Sequence, residues 1–329
     1  MSGGEATGGR VVGLGEALVR LSPPGMGRLE VASELQLEVG GAELNALIAA
    51  RRCGMEASWL TRIADNPLGR RVAAQARVHG VEARVQWVSG ARAPVYFVEQ
   101  GVDPRPTRVL YDRSHSAMVD LDAGHFDFAT ELEGADAVLC SGITCGLGAG
   151  PTRAVGDLFE AARAAGVRSF FDVNHRNFLW SWDEAAPVLR EVLGGVDVLF
   201  ASDFDLGRLL EREGEAEELA AAAIERFGLE LVVLRENAHA GSGVTVSMTA
   251  VAADGAHRSE SHAAQVVDGF GGGDAAVGVF VARLVAGDGL DLATDLAARA
   301  CAFKHTLPGD AWVGGPEDLD NEHTRRILR

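Results

Sequence analysis

Apolar residues along this chain switch between two patterns, and the switching lays out the elements. Short strand-like segments rich in apolar residues recur at 137–140, 167–171, 196–200 and 229–234, the last three with a charged residue at their second position. Each is bounded by turn or charged residues, the pattern of a strand buried on both faces. Between the runs the period lengthens to that of a helix. Pro151 opens one, with Val155, Leu158, Phe159 and Ala162 on one face and Gly166 as its stop. Leu44, Leu47 and Ile48 form another stripe, ended by Gly54. A strand–helix unit every roughly 30 residues predicts a mostly parallel sheet covered by helices on both faces, a three-layer α/β/α class.

Two segments break this rhythm. Residues 18–39 and 93–118 contain Pro, Gly and short β-like runs such as 95–98 and 108–111, with no helical period. They predict β-hairpins inserted as a lid into one domain spanning 1–329. The central runs also share an ending. They run into Ser141-Gly142, Asp172-Val173-Asn174, Ser202-Asp203 and Arg235-Glu236. Open α/β sheets bind ligands at that carboxyl edge. The plain alternative is that strand ends meet solvent.

Composition narrows the chemistry. With 47% hydrophobic and 23% charged residues the chain has enough apolar surface to fold. No apolar stretch reaches membrane-spanning length. Residues 1–10 are Gly-rich and polar, without a signal-peptide core, so the expected compartment is the cytoplasm. A net charge of −17 argues against a nucleic-acid partner, which needs a basic face. Lys304 is the single lysine, so no lysine-bearing phosphate loop exists. Cys53, Cys140, Cys145 and Cys301 form no C-x-x-C pair and read as reduced core residues. The nine histidines lack zinc spacing.

Glycine clusters carry the candidate chemistry. In Asp268-Gly269-Phe270-Gly271-Gly272-Gly273-Asp274 a glycine triplet leads into an apolar helical run. Successive backbone N–H groups at a helix start cradle a phosphate or an oxyanion. Asp274 at its edge would accept a proton from a hydroxyl nucleophile; its bland role is a helix cap. Gly40-Gly41-Ala42-Glu43-Leu44-Asn45 is a second glycine turn before a helix. Gly13-Leu14-Gly15 is a weak dinucleotide fingerprint, because Leu18 stands where Gly or Ala is needed.

With these two clusters in this order, the chain resembles the ribokinase-like (PfkB) family of sugar kinases from about Val11 to its end. Its segments Tyr111-Asp112-Arg113, Ser141-Gly142-Ile143-Thr144, Asp172-Val173-Asn174-His175-Arg176 and Lys304-His305-Thr306-Leu307-Pro308-Gly309-Asp310 look most like the branch that phosphorylates 2-keto-3-deoxygluconate. The resemblance implies transfer of the γ-phosphoryl of ATP to the 6-hydroxyl, with Mg²⁺, and leaves a monovalent cation open as a further cofactor. It implies Asp274 as base and Gly271, Gly272 and Gly273 as anion hole. Gly41, Ala42, Glu43 and Asn45 would line the sugar-acid site, with Ile143. Tyr96 and Tyr111 would come from the lid, Arg113 and Arg176 would grip the carboxylate, and Asp310 would bind a sugar hydroxyl.

On the nucleotide side the resemblance implies Asn174, Ser202, Arg235, Gly243, Gly271, Gly273 and Ala298, with Asp205 near the metal through water. Three departures fall here. Ser202 and Asp205 replace the family's Asn and Glu, Ala298 replaces an asparagine, and the loop 235–243 is long. The alternatives are a kinase for fructose, ribose or a sugar phosphate, a sugar-acid sensor without turnover, and an oxidoreductase using Gly13–Gly15. Exposed lid edges predict a dimer or larger assembly joined through the lids.

Overall fold

The computed structural model describes residues 8–319, so most of the 1–10 segment and the end of the 1–329 span lie outside the described residues. The strands follow the chain as β1 (Arg10–Leu14), β2 (Leu18–Ser22), β3 (Gln36–Gly40), β4 (Glu56–Ala64), β5 (Glu82–Val88), β6 (Val95–Glu99) and β7 (Arg108–Asp112). Then come β8 (Ala137–Ser141), β9 (Arg168–Asp172), β10 (Val198–Ala201), β11 (Leu231–Ala240), β12 (Gly243–Ala252), β13 (Gly255–Arg258) and β14 (His262–Gln265). The large sheet runs β13-β12-β11-β10-β9-β8-β1-β4-β5, with β14 also on β12. From β11 to β5 the pairs are parallel, and β12, β13 and β14 form an antiparallel margin.

Alternation explains why the strand centres are apolar on both faces. Val11, Leu139 and Val233 point into one apolar layer, and Val12, Val138 and Val232 into the other. The first layer lies under helices Ala42–Arg52, Gly272–Val285 and Leu290–His305. The second lies under Ala149–Ala165, Trp182–Leu193 and Ala216–Phe227. A strand buried on both sides has no polar face to show, and this gives the predicted α/β class.

The two irregular segments form a separate four-stranded sheet, β3-β2-β6-β7. Its register aligns Arg20 with Tyr96 and Tyr96 with Tyr111, in a row facing the large sheet's edge. The next row, on the opposite face by alternation, is Leu37, Leu21, Phe97 and Leu110. Leu110 in that row is 60% exposed.

One element departs from the expected pattern. The run expected to end at Leu234 continues to Ala240, paired antiparallel with β12. The residues read as a long loop, 235–243, are therefore mostly a β-hairpin. Residues 235–240 are exposed and carry no apolar side chain larger than alanine, so no apolar alternation marked them.

Candidate active site

A cleft of about 390 Å³ opens where the carboxyl edge of the large sheet meets the lid. A smaller chamber of about 110 Å³ adjoins it and shares Asn174, Arg176, Arg235 and Gly273. Two larger grooves, of about 910 and 1010 Å³, lie between outer helices away from this edge. The polar strand ends thus converge on a cavity instead of merely meeting solvent.

Asp274 stands in the first turn of Gly272–Val285, and Gly271 is the N-cap. Asn45, buried on Ala42–Arg52, donates from Nδ2 to Asp274 Oδ2 at 2.8 Å. Asn45, expected to line the sugar-acid site, does line the cleft, and its amide also orients the carboxylate. The reading of Asp274 as the helix N-cap fails, because Gly271 takes that position and Asp274 lies in the first turn. Burial pushes Asp274 up from the ordinary carboxylate range, opposed by Asn45, Arg176 and Arg235. Gly271 has φ of 75°, and a Cβ there would collide with the backbone oxygen of Asp310. A Cβ on Gly273 would collide with the Arg235 guanidinium. Only glycine leaves these N–H groups open to an anion.

The lid supplies Tyr96 and Tyr111, stacked with ring centroids 5.7 Å apart. Tyr96 Oη donates to Asp310 Oδ2 at 2.6 Å. Gly41, Ala42 and Ile143 line the cleft as expected. The two arginines differ. Arg176 is exposed on the cleft wall, but Arg113 is held by Glu16 at 2.5 Å. Ser116 donates to the other Glu16 oxygen. Glu16 was missed; its only signal was an acidic residue at the end of a buried strand. Arg20 was missed as well. It is a buried cation on β2, bonded to Asp310 Oδ1 at 2.6 Å and Asp268 Oδ2 at 2.8 Å.

Glu43 does not line the cleft. At one residue past Ala42 it turns about 100° around the helix and points to the end of β8. Ser141 Oγ and Thr144 Oγ1 donate to its Oε1 at 2.6 and 2.8 Å, while Oε2 is buried without a partner. Burial raises its carboxyl to about 7. The folded state therefore favours the protonated acid. That stability is complete below pH 4.5 and is lost as pH rises to about 7, a swing of roughly 3 kcal/mol. Glu43→Gln removes the ionisation. Its melting temperature relative to the parent should rise by roughly 2–4 °C between pH 5 and pH 8. An equal difference at both pH values would contradict this.

Of the residues expected on the nucleotide side, the smaller chamber gathers Asn174, Ser202, Asp205, Arg235 and Gly273. Asn174, at φ 38°, is held by Asp172 through its backbone N and its Nδ2. Burial raises the Asp172 carboxyl to about 6. Ser202 and Asp205 form a capping box: Asp205 Oδ2 accepts from Ser202 N and Oγ at 2.9 and 2.8 Å. Asp205 thus caps a helix while lining the chamber. Three expected residues are not in the chamber: Gly271 lines the main cleft instead, and Ala298 and Gly243 line neither. Ala298 is fully buried in Leu290–His305, within the apolar layer. Gly243 begins β12, paired with Ala240 and Gln265, and lines neither cavity. Cβ atoms on Gly13 and Gly15 would strike Leu47 and Glu43, so these glycines serve helix packing rather than a dinucleotide.

A family model described as "pfkB family carbohydrate kinase" matches residues 9–311. The chain belongs to the pfkB family of carbohydrate kinases. It is 38% identical over 323 residues to a 2-dehydro-3-deoxygalactonokinase of Haloferax volcanii, covering 97% of this chain and 96% of that one. It is 31% identical to a 2-dehydro-3-deoxygluconokinase of Thermoproteus tenax, covering 91% and 89%. The crystal structure of 2-dehydro-3-deoxygluconokinase from Thermotoga maritima superposes with a TM-score of 0.90 at 30% identity, covering 94% and 97%. In this carbohydrate kinase the glycine cradle, Asp274 and the lid tyrosines share one cleft. Among the described residues no helix is long and apolar enough to cross a membrane.

Proposed function

We propose that this kinase transfers the γ-phosphoryl of ATP to the 6-hydroxyl of 2-keto-3-deoxygluconate or its galactose-configured epimer. The observation that carries the reading is the shared cleft: Asp274 beside a glycine cradle, with the Arg176 guanidinium exposed on the same wall. The two relatives named above are named for these two keto-deoxy acids.

The chain's own residues do the following. Asn45 aims the Asp274 carboxylate, which takes the hydroxyl proton as the bond from the γ-phosphorus to the acceptor oxygen forms and its bond to the β,γ-bridging oxygen breaks, releasing ADP. The N–H groups of Gly271, Gly272 and Gly273 meet charge developing on the transferred group. Arg176 binds the acceptor's carboxylate, and the guanidinium's fork suits it. Arg113, aimed by Glu16, assists at the same end. Tyr96 and Tyr111 cover the acceptor and exclude water. Asn174, Ser202 and Arg235 face the nucleotide, in a chamber that the missing Cβ of Gly273 keeps open. Among the described residues no three His, Cys, Asp or Glu side chains converge on a metal position. That fits Mg²⁺ held chiefly by the nucleotide's phosphates, with Asp205 near it. When bound, the ion neutralises phosphate charge.

The test is selective loss. Arg176→Met should lower kcat/KM for the keto-deoxy acid by about 10- to 100-fold, the range of a charge-assisted contact. Trace turnover of a neutral sugar should stay within about threefold. Equal losses on both would remove Arg176 from the acceptor site.

The same proposal places the enzyme in the cytoplasm and pairs it through the lids. The row Leu37, Leu21, Phe97 and Leu110 is an apolar stripe on the face turned from the cleft. A second copy would cover it. Sedimentation should give at least a dimer mass, and Leu110→Glu should reduce it; a monomer at micromolar concentration would contradict the pairing.

A further inference from the structure

Arg20 is one of the side chains that join the catalytic loop to the lid, beside Gln100, which donates to the Val267 carbonyl at 2.6 Å. Arg20 lies on β2, and its side chain is buried. It touches the glycine loop's surroundings at three points. One nitrogen lies 2.8 Å from Asp268 Oδ2, at the loop's entry. Another lies 2.6 Å from Asp310 Oδ1. The guanidinium carbon sits 4.9 Å over the ring of Phe270, inside the loop. These partners are themselves linked. Asp268 accepts from Phe270 N and from Gly309 N at 3.1 and 3.0 Å. The Asp310 backbone packs so closely on Gly271 that a Cβ there would overlap it.

We propose that Arg20 is a positioning residue for phosphoryl transfer. It fixes Asp268, Phe270 and Asp310, and through them the N–H groups of Gly271 to Gly273. The inference rests on the kinase reading above and extends it to a residue outside the acceptor and nucleotide contacts.

Two physical reasons support the assignment. First, geometry: a guanidinium presents a rigid fork, so two carboxylates on different segments are held at fixed separation. A lysine supplies charge without that fork. Second, charge: Asp268, Asp310 and Glu38 surround this point, and Arg20 is the cation that meets all three. Without it, Lys304 would be the remaining cation near these carboxylates, beside a cleft that takes two anionic reactants. Asp310 keeps acceptor capacity, because a carboxylate offers about four lone-pair sites and Arg20 and Tyr96 occupy one direction on each oxygen. Arg20 and Tyr96 therefore orient Asp310 toward the acceptor without consuming it.

The test compares Arg20→Met, Arg20→Lys, Asp310→Asn and the double variant Arg20→Met/Asp310→Asn in the full chain. Arg20→Met should lower kcat by about 100-fold and raise the acceptor KM, with ATP KM within about threefold. Arg20→Lys should recover part of kcat, and it also serves if the Met variant does not fold. The double variant should lose at least tenfold less than the product of the singles, since the residues act as a unit. A lower melting temperature with kcat and acceptor KM unchanged, or losses that multiply, would overturn the inference. Hydrogen exchange at amides 269–274 gives an arm independent of turnover. Arg20 substitution should speed exchange there at least tenfold, and unchanged exchange would overturn the inference. If the parent phosphorylates no acceptor, the functional reading fails, and the exchange arm still decides the role of Arg20.

Discussion

Asp274→Asn should abolish nearly all turnover, lowering kcat by roughly 10³- to 10⁴-fold, the upper range for loss of a positioned general base. The substitution is close to isosteric, and Asn45 stays within reach of the new amide oxygen. Acceptor and ATP KM should therefore change little, because the groups that bind them remain. The pH profile gives a second reading. Desolvation raises the Asp274 carboxyl, and the hydrogen bond from Asn45 lowers it. Only the carboxylate form accepts a proton. Rate should thus fall as pH drops through this raised value, and Asn45→Ala should move the falling limb to higher pH. A limb that stays in place would separate Asn45 from the base. The measurement is initial-rate ADP release across pH, with the Asp274→Asn variant as baseline.

The second large effect belongs to Gly271. Gly271→Ala should lower kcat by at least 100-fold, comparable to loss of an oxyanion-hole donor. Two causes combine. The residue sits at φ 75°, which costs an alanine roughly 1–2 kcal/mol. More severely, the methyl group would overlap the Asp310 carbonyl oxygen, so the loop must shift. Gly287→Ala is the control. It has φ 84° after the end of the same helix, and an added Cβ meets nothing within 4 Å. It should lose a similar increment of stability and keep kcat. If both variants keep kcat, the glycine cradle is not holding the reacting group.

Much of this was legible because the signals were local. Runs such as 137–140 and 231–234 carry no polar alternation, which suits a sheet covered on both faces. The lid stood out because 18–39 and 93–118 lack helical period, and those segments hold β2, β3, β6 and β7. The glycine triplet before Asp274 needed no tertiary information. What escaped depended on direction and on long-range pairing. Glu43 lies beside Ala42 in sequence, but one helical step turns it beneath the site. Spacing alone contained that fact, since Ala42 and Asn45 are three apart and share a face. Arg20 and Glu16 find their partners up to 290 and 100 residues away, at Asp310, Asp268, Arg113 and Ser116. Nothing near them announces those bonds, although a lone arginine between Val19 and Leu21 was itself a flag. The hairpin of β11 and β12 was hidden because its exposed half alternates nothing. Ala298 was carried over by resemblance, whereas its own neighbours Ala297 and Cys301 already mark a buried helical face.

The central claim is a phosphoryl transfer selective for a keto-deoxy sugar acid. The most direct measurement is ADP release by the purified protein with ATP and Mg²⁺, offered 2-keto-3-deoxygluconate, its galactose-configured epimer, gluconate, fructose and ribose in parallel. Efficient turnover is expected on one or both keto-deoxy acids, with at least 100-fold weaker turnover on the neutral sugars and loss of both in Asp274→Asn. Turnover confined to fructose or ribose, or tight binding of the keto acid with no ADP formed, would contradict the claim.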